Sequence, residues 1–361
     1  MTIGIDTSRA VKEHLTGTEY YSIELIKSFM KLDKEDRFLL YSPKDPRPNL
    51  GHLPENFHTK IMPFPKFWSQ VRLSIEMLSN KPDVLFVPAH LVPIIHPKNT
   101  VTTIHDLGFK HFPELYPAKE LLYHNWGMNF SVKHAKKIIT VSEYTKKDLL
   151  ETYNIEPTKI DVVWSGVDLE RFKPDETVKK KPYILFIGRL EEKKNIVNMI
   201  KAYAFLRKEQ HVTHQLVLAG SPGFGYENIQ KEIEGLPAEI QKDIIQTGYI
   251  SEEEYIKRLR EADIFLFCTN FEGFGFPVIE AMATGTPVVA SNVTSIPEIA
   301  GNAAMLVNPK KPIEIGAALS RLINNKGLKK SFILKGRVRS KIFTWEQTGQ
   351  KTLEIIKKAS Q

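Results

Sequence analysis

The sequence lacks several features that would each point to a class of protein. Its 361 residues include a single cysteine, Cys268, which excludes an internal disulfide. The position of Cys268 in the apolar run IFLFC predicts a buried thiol without a catalytic role. No apolar run approaches the roughly 20 residues of a membrane-spanning helix, and the first residues, MTIGIDTSRA, lack a basic stretch followed by a long apolar one. We therefore expect a globular protein of the cytoplasm.

Motifs of nucleic-acid-binding proteins and of dehydrogenases are missing as well. We find no zinc-finger spacing, aromatic RNA-binding signature or heptad array, so nucleic acid is not expected as a partner. The first apolar run is followed by TSRAVKEHLTG and not by G-x-G-x-x-G, which disfavours a dehydrogenase. The formal net charge of +8 nevertheless favours an anionic partner, such as an anionic membrane surface or a phosphate-bearing substrate. The lysines are scattered in short groups and do not decide between these partners.

The sequence does contain strand-like apolar runs that alternate with helical patterns in two series. The first series reads TIGID, RFLLYS, DVLFVP, TVTTIHD, KIITVS and KIDVVWSG; the second reads YILFIG, HQLVLAG, IIQTGY, ADIFLFC, PVVAS and AAMLVN. This alternation predicts an α/β protein with two doubly wound, Rossmann-like domains, each built on a parallel sheet. Because such sheets bind ligands beyond the carboxyl ends of their strands, we expect the site in a cleft that the two domains face.

The polar, proline-bracketed stretch FKPDETVKKKP separates the two series. We predict an N-terminal domain at residues 1–171, a linker at 172–182, a C-terminal domain at 183–342 and a C-terminal helix at 343–361 that crosses back to the first domain. Within the second domain, Ser251 and Glu254 have the spacing of a capping box and predict the start of a helix.

Residues 270–287, NFEGFGFPVIEAMATGTP, combine two glutamates with glycines and a proline. Pro277 suits the first position of a helix and Gly285 its C-terminal cap, so the backbone N–H groups of residues 273–275 are expected at a helix N-terminus, which attracts anions. Glu272 on the loop and Glu280 about one turn into the helix can accept hydrogen bonds from hydroxyl groups. A nucleotide sugar offers both an anion and hydroxyls. Alternatively, Glu280 only complements the helix dipole and the glycines only form a turn.

A second cluster of charges follows the run YILFIG. The sequence GRLEEKKN places Arg189 and Lys194 at the carboxyl end of a predicted strand, beside the start of the helical pattern NIVNMIKAY. Two fixed cations at this position can neutralise a diphosphate and stabilise it as a leaving group. A solvated charge run is the alternative for the neighbouring Glu191, Glu192 and Lys193, but it fits Arg189 less well because Arg189 directly follows a buried strand.

At these residues the chain resembles the retaining family-4 glycosyltransferases of the GT-B fold. The resemblance covers nearly the whole chain through VTTIHDLGF, KIITVSEYTKKDL, WSGVD, GRLEEKKN, the Glu-x7-Glu pattern EGFGFPVIE, SNVTSIPEIAG and FTWEQTGQKTLEIIKK. Each fragment is weak alone, but their order and spacing are specific. TIGID, VPAHLVPIIHPKNTVTTIHDLGFKHFPE and YISEEEYIKRLREAD are most similar to the branch of bacterial O-antigen and polysaccharide mannosyltransferases.

The resemblance implies a role for each matching residue. It assigns the donor diphosphate to Arg189 and Lys194, and the ribose to Glu280. The resemblance also implies that Glu272 and the backbone of Gly273, Phe274 and Gly275 bind the donor sugar. His105 would contact the sugar and the acceptor region, and the backbone at Gly17 would approach the diphosphate. Tyr249 and Ile250 would flank the base. The chain departs from the family after Gly17, where GTEYY replaces the usual small and basic residues.

The implied reaction is transfer of a hexose, with mannose from GDP-mannose as the expected donor, to a saccharide or lipid-linked saccharide acceptor bound on the N-terminal domain. Because we identify no nucleophile for a covalent intermediate, the resemblance favours front-face substitution, in which the acceptor attacks from the side on which the diphosphate departs. The chain contains no Asp-x-Asp, the usual source of ligands for a diphosphate-bound Mg²⁺, so we predict no essential metal and no cofactor.

Two other functions are compatible with the same architecture. A nucleotide-sugar epimerase would form product without an acceptor, and a non-catalytic nucleotide-sugar-binding protein would bind the donor without turnover. A phosphorylase is disfavoured because we identify no cofactor lysine.

A lipid-linked acceptor would bring the N-terminal domain to the membrane surface. The stretch PFPKFWSQVRLSIEML interleaves the aromatic residues Phe64, Phe67 and Trp68 with the cations Lys66 and Arg72, a composition that suits the headgroup region of a bilayer. Lysines in SVKHAKKIIT and SEYTKKDLL would add attraction to anionic lipid. The alternative is that Trp68 packs under a loop. The sequence thus predicts a cytoplasmic enzyme, with peripheral attachment to the membrane as an open question.

Overall fold

The computed structural model describes residues 1–12, 15–89, 91–210 and 212–361. It divides into two compact units. Unit 1 comprises Met1–His111, Tyr116–Gly166 and Thr344–Gln361, and unit 2 comprises Phe112–Leu115 and Val167–Phe343. Our exact domain boundaries and the linker at 172–182 stay predictions.

Unit 1 is built on a parallel sheet of seven strands in the order β3-β2-β1-β4-β5-β6-β7 over the described residues. The strands are β1 (Thr2–Asp6), β2 (Arg37–Ser42), β3 (Phe57–Ile61), β4 (Val84–Val87), β5 (Thr100–Ile104), β6 (Lys137–Thr140) and β7 (Ile160–Val162). Central strands such as β4 and β5 are buried along their whole length, as expected for a sheet that is covered on both faces.

The α-helices of unit 1 are α1 (Gly17–Leu32), α2 (Arg47–Leu50), α3 (Ser74–Ser79), α4 (Gly108–His111), α5 (Ala118–His134), α6 (Glu143–Thr152) and α15 (Trp345–Ser360), with a π-helical turn at Ser69–Leu73 and a 3₁₀ turn at Pro157–Lys159. The helix α15 follows unit 2 in the chain but packs against α1. Lys357 of α15 forms ion pairs with Asp33 and Asp36 at 2.7 and 2.8 Å. Residues 344–361 thus belong to unit 1 although they follow unit 2 in the chain.

Unit 2 is built on a parallel sheet of six strands in the order β10-β9-β8-β11-β12-β13, counted over the part of the chain that is described. The strands are β8 (Lys181–Ile187), β9 (Gln215–Ala219), β10 (Ile244–Gly248), β11 (Ala262–Phe267), β12 (Val288–Ser291) and β13 (Met305–Val307). The strand order reverses between β8 and β11, and crevices at such reversals are the usual ligand sites of doubly wound sheets.

The α-helices of unit 2 are α7 (Ile196–Glu209), α8 (Tyr226–Glu234), α9 (Ala238–Gln241), α10 (Glu252–Glu261), α11 (Phe276–Ala283), α12 (Ile296–Ala300), α13 (Pro312–Asn324) and α14 (Lys326–Ser340), with 3₁₀ turns at Pro113–Leu115 and Glu192–Lys194. The predicted start of α10 is confirmed, since the Ser251 hydroxyl accepts a hydrogen bond from the N–H of Glu254 at 3.3 Å. None of the helices in the described residues is long and apolar enough to span a membrane.

The predicted α/β fold with two parallel, doubly wound sheets is confirmed. The twelve strand-like runs each contain a strand, but the sequence analysis missed β3, an edge strand of the first sheet whose residues FHTKI include three consecutive polar ones. Pro277 occupies the second and not the first position of α11, because the helix begins at Phe276. Gly285 has the left-handed φ of +76° expected after the end of that helix.

The structure decides between the two interpretations of Trp68 in favour of packing under a loop. Trp68 is buried at 8% exposure in a core with Tyr41, Leu73 and Met77. Its Nε1 donates a hydrogen bond to the carbonyl of Met62 at 2.7 Å. The indole therefore packs under a loop and leaves the exposed aromatic set.

Candidate active site

The residues predicted to bind the donor follow strands that are neighbours at the reversal of the second sheet. Arg189 comes two residues after β8, and Glu272 comes five residues after β11. Since β8 and β11 are paired and parallel, their carboxyl ends lie at the same edge of the sheet. The backbone N–H of Asn270 donates to the carbonyl of Lys193 at 3.1 Å and joins the two loops directly.

Glycines allow the loop after β9 to approach the loop after β8 closely. A Cβ on Gly220, whose φ is +148°, would lie 1.9 Å from the carbonyl oxygen of Gly188. A Cβ on Gly223 would meet the Arg189 side chain at 2.8 Å, so this side chain runs along the glycine backbone. Arg189 is exposed, and within the described residues its guanidinium forms no ion pair. It is a cation available to an external anion.

Lys194 and Glu272 are brought together by the fold. The Nζ of Lys194 lies 2.7 Å from Oε1 of Glu272, with both side chains less than one fifth exposed, and it also lies 5.8 Å from the centre of the Phe267 ring. A partly buried pair of this kind is screened less by salt than a surface pair. The resemblance assigned the two residues to different parts of the donor but did not reveal this contact.

Asn195 fixes the position of Lys194, and the sequence reading did not single it out. It has a left-handed φ of +61°, at the junction of the 3₁₀ turn and α7. Its buried Nδ2 donates to the carbonyls of Cys268 and Pro309, both at 2.8 Å. Asparagine tolerates this backbone conformation better than most residues, so the signal was present in GRLEEKKN but its partners are distant in sequence.

The glycine-rich loop before α11 is held by Ser295, which the sequence reading also missed. The Ser295 hydroxyl contacts the carbonyls of Glu272 and Phe274 at 2.9 and 3.1 Å. Gly275 has a φ of +97° at the cap of α11, where a Cβ would lie 2.6 Å from Cδ1 of Ile296. The side chain of Phe274 is 4% exposed and packs on Phe343, so only the backbone of this residue is suited to a ligand.

Glu280 lies in a different environment from Glu272. Its side chain is buried in α11 at 6% exposure, and the Tyr255 hydroxyl donates a hydrogen bond to its Oε2. Burial raises the pKa of Glu280 to about 7, against the opposing effects of the Tyr255 hydrogen bond and of the charge on Arg171. The carboxyl is therefore poised between its neutral and charged forms near neutral pH. Tyr255 lies 25 positions away in the chain, and no local motif pointed to it.

Tyr249 and Ile250 follow β10, the edge strand of the second sheet. Tyr249 is 67% exposed and comes directly after Gly248, whose φ of +68° turns the chain at the strand end. A ring in this position can stack on a planar group.

Unit 1 contains the two remaining predicted residues. His105 follows β5 and is buried at 8% exposure, with Nε2 lying 2.9 Å from the carbonyl of Pro88 and the ring packed edge-on against Tyr21. Burial lowers the pKa of His105, so the neutral ring donates from Nε2 to that carbonyl at pH 7. Gly17 is the exposed first residue of α1, after a turn in which the Thr16 N–H donates to Glu19.

Taken together, the edge of the second sheet holds a free guanidinium, a lysine that is bridged to a carboxylate and the backbone of a helix start. This set can bind a phosphate group and hydroxyls side by side. Among the described residues, no group of three or more His, Cys, Asp and Glu side chains is arranged to hold a metal ion.

Two family profiles match almost the whole chain. Residues 15–171 match Glycosyltransferase Family 4, and residues 168–339 match the glycosyl transferases group 1.

Curated relatives include mannosyltransferases. The chain is 25% identical to O-antigen chain mannosyltransferase B of Escherichia coli over 271 residues, which span 72% of this chain and 70% of that protein. It is 31% identical to the MMP alpha-(1->4)-mannosyltransferase of Mycolicibacterium hassiacum over 228 residues, which span 62% of this chain and 54% of the relative. The second match thus covers less than two thirds of the relative.

Solved structures agree over nearly the full length. Sucrose-phosphate synthase from Thermosynechococcus elongatus matches with a TM-score of 0.79 at 17% identity, covering 99% of this chain and 98% of that one. The Anabaena protein HepE in complex with UDP-glucose matches with a TM-score of 0.75 at 16% identity, covering 99% and 100%. At this identity the agreement concerns the fold. With the two profile matches, it completes the assignment: the chain belongs to the family-4, group 1 glycosyltransferases and is a glycosyltransferase with the GT-B fold.

Proposed function

We propose that the enzyme transfers mannose from GDP-mannose to a saccharide or lipid-linked saccharide during synthesis of a cell-surface polysaccharide, with retention of anomeric configuration. The observation that carries the proposal is the Lys194–Glu272 pair at the carboxyl ends of β8 and β11. The E. coli and M. hassiacum relatives are named as mannosyltransferases, which supports mannose as the sugar. The UDP-glucose complex of HepE supports a nucleotide sugar as the donor.

In this proposal Arg189 and Lys194 bind the diphosphate. Arg189 is exposed and unpaired among the described residues, so it can bind phosphate without giving up a protein partner. Lys194 keeps its ion pair with Glu272 while it donates a further N–H to the diphosphate. The N-terminus of α11, capped by Gly275, adds the positive end of its helix dipole.

Glu272 and the backbone of Gly273, Phe274 and Gly275 bind the donor sugar, and Glu280 accepts a hydrogen bond from the ribose. The Ser295 contacts hold the Glu272 backbone in place before the donor arrives, which lowers the entropic cost of binding. Tyr249 and Ile250 flank the base. In unit 1, His105 contacts the sugar and the acceptor region, and the backbone at Gly17 approaches the diphosphate.

The chemical step is a front-face substitution. The bond from the anomeric carbon to the diphosphate oxygen breaks, and the acceptor hydroxyl attacks from the same face while its proton passes to a departing phosphate oxygen. Arg189 and Lys194 stabilise the negative charge that grows on the diphosphate, which is where a fixed cation accelerates such a reaction most. Side-chain cations offset this charge, so the proposal requires no metal.

We further propose that the enzyme works in the cytoplasm, with unit 1 contacting the membrane that carries a lipid-linked acceptor. Phe64 and Phe67 are 39% and 60% exposed and remain available for such a contact. Phe67→Ala should weaken sedimentation with anionic vesicles by several-fold while leaving thermal unfolding unchanged. Unchanged sedimentation would remove this surface from the proposal.

The proposed function is tested by mass spectrometry of products from a panel of nucleotide sugars, each with and without lipid-linked saccharide acceptors. We expect mannosylated acceptor from GDP-mannose only when an acceptor is present, with the α or β configuration of the donor retained in the product by NMR. A changed sugar in reactions without acceptor would instead identify an epimerase. Donor binding without any product would identify a binding protein.

A further inference from the structure

The positive charge of the chain is concentrated in one segment of unit 2. Residues 326–341, KGLKKSFILKGRVRSK, contain seven lysines and arginines and no acidic residue, in a chain whose net charge is +8. The segment therefore carries nearly all of the net charge, which the sequence reading had regarded as scattered. It forms α14 and the first residue beyond it.

One side of α14 packs on the protein, and this side uses three of the seven cations. Gly336 faces α11, where a Cβ would approach Met282 to 3.1 Å. The three cations are bound to protein groups: Lys329 to Asp263 at 2.7 Å, Arg337 to Glu176 at 3.1 Å, and Arg339 to the carbonyl of Ile299 at 2.9 Å. These contacts fix the rotation of the helix about its axis.

The opposite side of α14 carries a row of exposed apolar side chains, flanked by lysines that form no ion pair within the described residues. Leu334 and Val338, four residues apart and so on one face, are 53% and 68% exposed. Ile342, two residues after the helix, is 41% exposed. Four exposed lysines surround this row and form no ion pair within the described residues: Lys326, Lys330, Lys335 and Lys341. We name Leu334, Val338, Ile342 and these four lysines the α14 face.

We propose that the α14 face docks on an anionic phospholipid surface. Apolar side chains at the centre of the face enter the boundary between headgroups and acyl chains, while the lysines reach the lipid phosphates on their long stems. A nucleic acid would satisfy the lysines but leave Leu334 and Val338 in water. An acidic headgroup layer satisfies both, because it is charged at its surface and apolar beneath.

This inference deepens the proposed function, because a lipid-linked acceptor lies in such a surface. It is nevertheless separate from the donor site, since none of the α14 face residues belongs to the proposed catalytic set. Failure of the docking proposal therefore leaves transfer to a water-soluble acceptor intact. Failure of the proposed function leaves vesicle binding intact.

The test is co-sedimentation of the full chain with vesicles of phosphatidylcholine alone and with about one third phosphatidylglycerol, at low and high salt. The unaltered protein should bind the anionic vesicles and be released by salt. Lys330→Glu with Lys335→Glu and Lys341→Glu should weaken binding at least about tenfold, since each lysine near such a surface contributes to attraction. Leu334→Ser with Val338→Ser should weaken binding several-fold at unchanged charge.

A matched control makes the same charge change elsewhere on unit 2. Lys208, Lys231 and Lys242 are exposed and form no ion pair within the described part of the chain. Lys208→Glu with Lys231→Glu and Lys242→Glu should retain most of the binding. Circular dichroism and donor affinity, measured by calorimetry with GDP-mannose, check that each variant is folded.

Several results would overturn the proposal. The first is that the unaltered protein does not bind the anionic vesicles. The second is that the control variant loses as much vesicle binding as the α14 face variant. The third is full binding by the serine variant, which would mean that the lysines act through general electrostatic attraction alone. Analytical ultracentrifugation tests whether a second copy of the chain covers the α14 face. If the unaltered chain is a dimer and the serine variant a monomer, the α14 face is an interface between two copies, and the lipid proposal is wrong.

Discussion

The two glutamates of the Glu-x7-Glu segment are eight positions apart in one loop and helix, yet the fold places them in opposite electrostatic settings. Glu272 lies on the loop and meets a lysine at 2.7 Å. Glu280 lies inside α11, is bonded to a neutral phenol and has its pKa raised to about 7 by burial. The comparison shows that a spacing motif selects positions, whereas the charge of each position is set by residues far away in the sequence.

The two environments also suit the two carboxyl groups to different roles in ligand binding. A carboxylate paired with a cation stays charged, and it can bind sugar hydroxyls while it holds the lysine in place. A buried carboxyl near its pKa changes its charge easily, so a ligand hydroxyl that bonds to the charged form will favour loss of the proton. We therefore expect donor binding to release protons at Glu280.

The largest effect is expected from breaking the paired site. Lys194→Ala should reduce kcat by about two orders of magnitude or more, because leaving-group stabilisation is lost. It should also lower the free energy of unfolding, by about 1 kcal/mol, because Glu272 loses its partner in a partly buried position. Steady-state kinetics and urea unfolding measure the two effects.

Arg189→Ala is the matched variant for this test. It removes an exposed cation that has no ion pair among the described residues, so turnover should fall comparably while stability stays unchanged. Activity within a few-fold of the unaltered enzyme in both variants would show that the diphosphate binds elsewhere.

The buried glutamate is tested through the pH dependence of stability. The folded pKa of Glu280 is about 7 against a usual 4.5, so its protonated form favours the folded state. This contribution is fully present below pH 4.5 and is lost as the pH rises to 7. Glu280→Gln should remove a fall in unfolding free energy on the order of 2–3 kcal/mol across that window, as measured by urea unfolding at pH 4.5, 6, 7 and 8.

Tyr255→Phe controls for the hydrogen bond at Glu280. The phenol lowers the pKa of Glu280, so its removal should raise that pKa further and move the fall in stability to higher pH. An unaltered pH profile in Glu280→Gln would contradict the assignment. A third outcome, in which Glu272→Gln abolishes the fall, would assign the titration to the other glutamate.

A smaller effect is expected from the loop that separates the two glutamates. Gly275→Ala places a Cβ on a backbone with φ of +97° and against Ile296, which should cost about 1–2 kcal/mol of unfolding free energy. Gly248→Ala has a similar positive φ of +68° but no atom within 4 Å, so it reports backbone strain alone. Equal losses in both variants would mean that the Ile296 contact contributes nothing.

The smallest effect is expected from chelation. Because side-chain cations are proposed to offset the diphosphate, excess EDTA should change the initial rate by less than about twofold. Abolition of activity by EDTA, with recovery on addition of Mg²⁺ or Mn²⁺, would mean that Arg189 and Lys194 do not suffice.

The parts of the fold that were predictable are those with a continuous apolar signal. Buried parallel strands such as β8 and β11 are recognisable in the sequence as apolar runs. The edge strand β3 is not, because FHTKI has three consecutive polar residues and therefore resembles a polar loop. Both interpretations of Trp68 stayed open for a related reason, since a tryptophan beside lysine and phenylalanine suits both a membrane surface and a small local core.

At the site, the sequence identified residues but not their partners. Arg189, Lys194 and Glu272 could be assigned to one sheet edge because each follows an apolar run. The contacts of Asn195 with Pro309, of Ser295 with the Glu272 backbone and of Tyr255 with Glu280 join segments between 23 and 114 positions apart. Such contacts depend on the packing of whole helices, which no local pattern records.

The position of α15 in the chain means that unit 1 can be completed only after unit 2 has been translated. The helix follows every element of unit 2 in the chain, yet it packs on α1, and a Cβ on Gly166 would lie 2.3 Å from the backbone nitrogen of Trp345. On the ribosome, unit 2 is therefore fully translated while unit 1 still exposes the apolar surface that α15 covers. A stop codon shortly before residue 345 would leave unit 2 whole and unit 1 without α15.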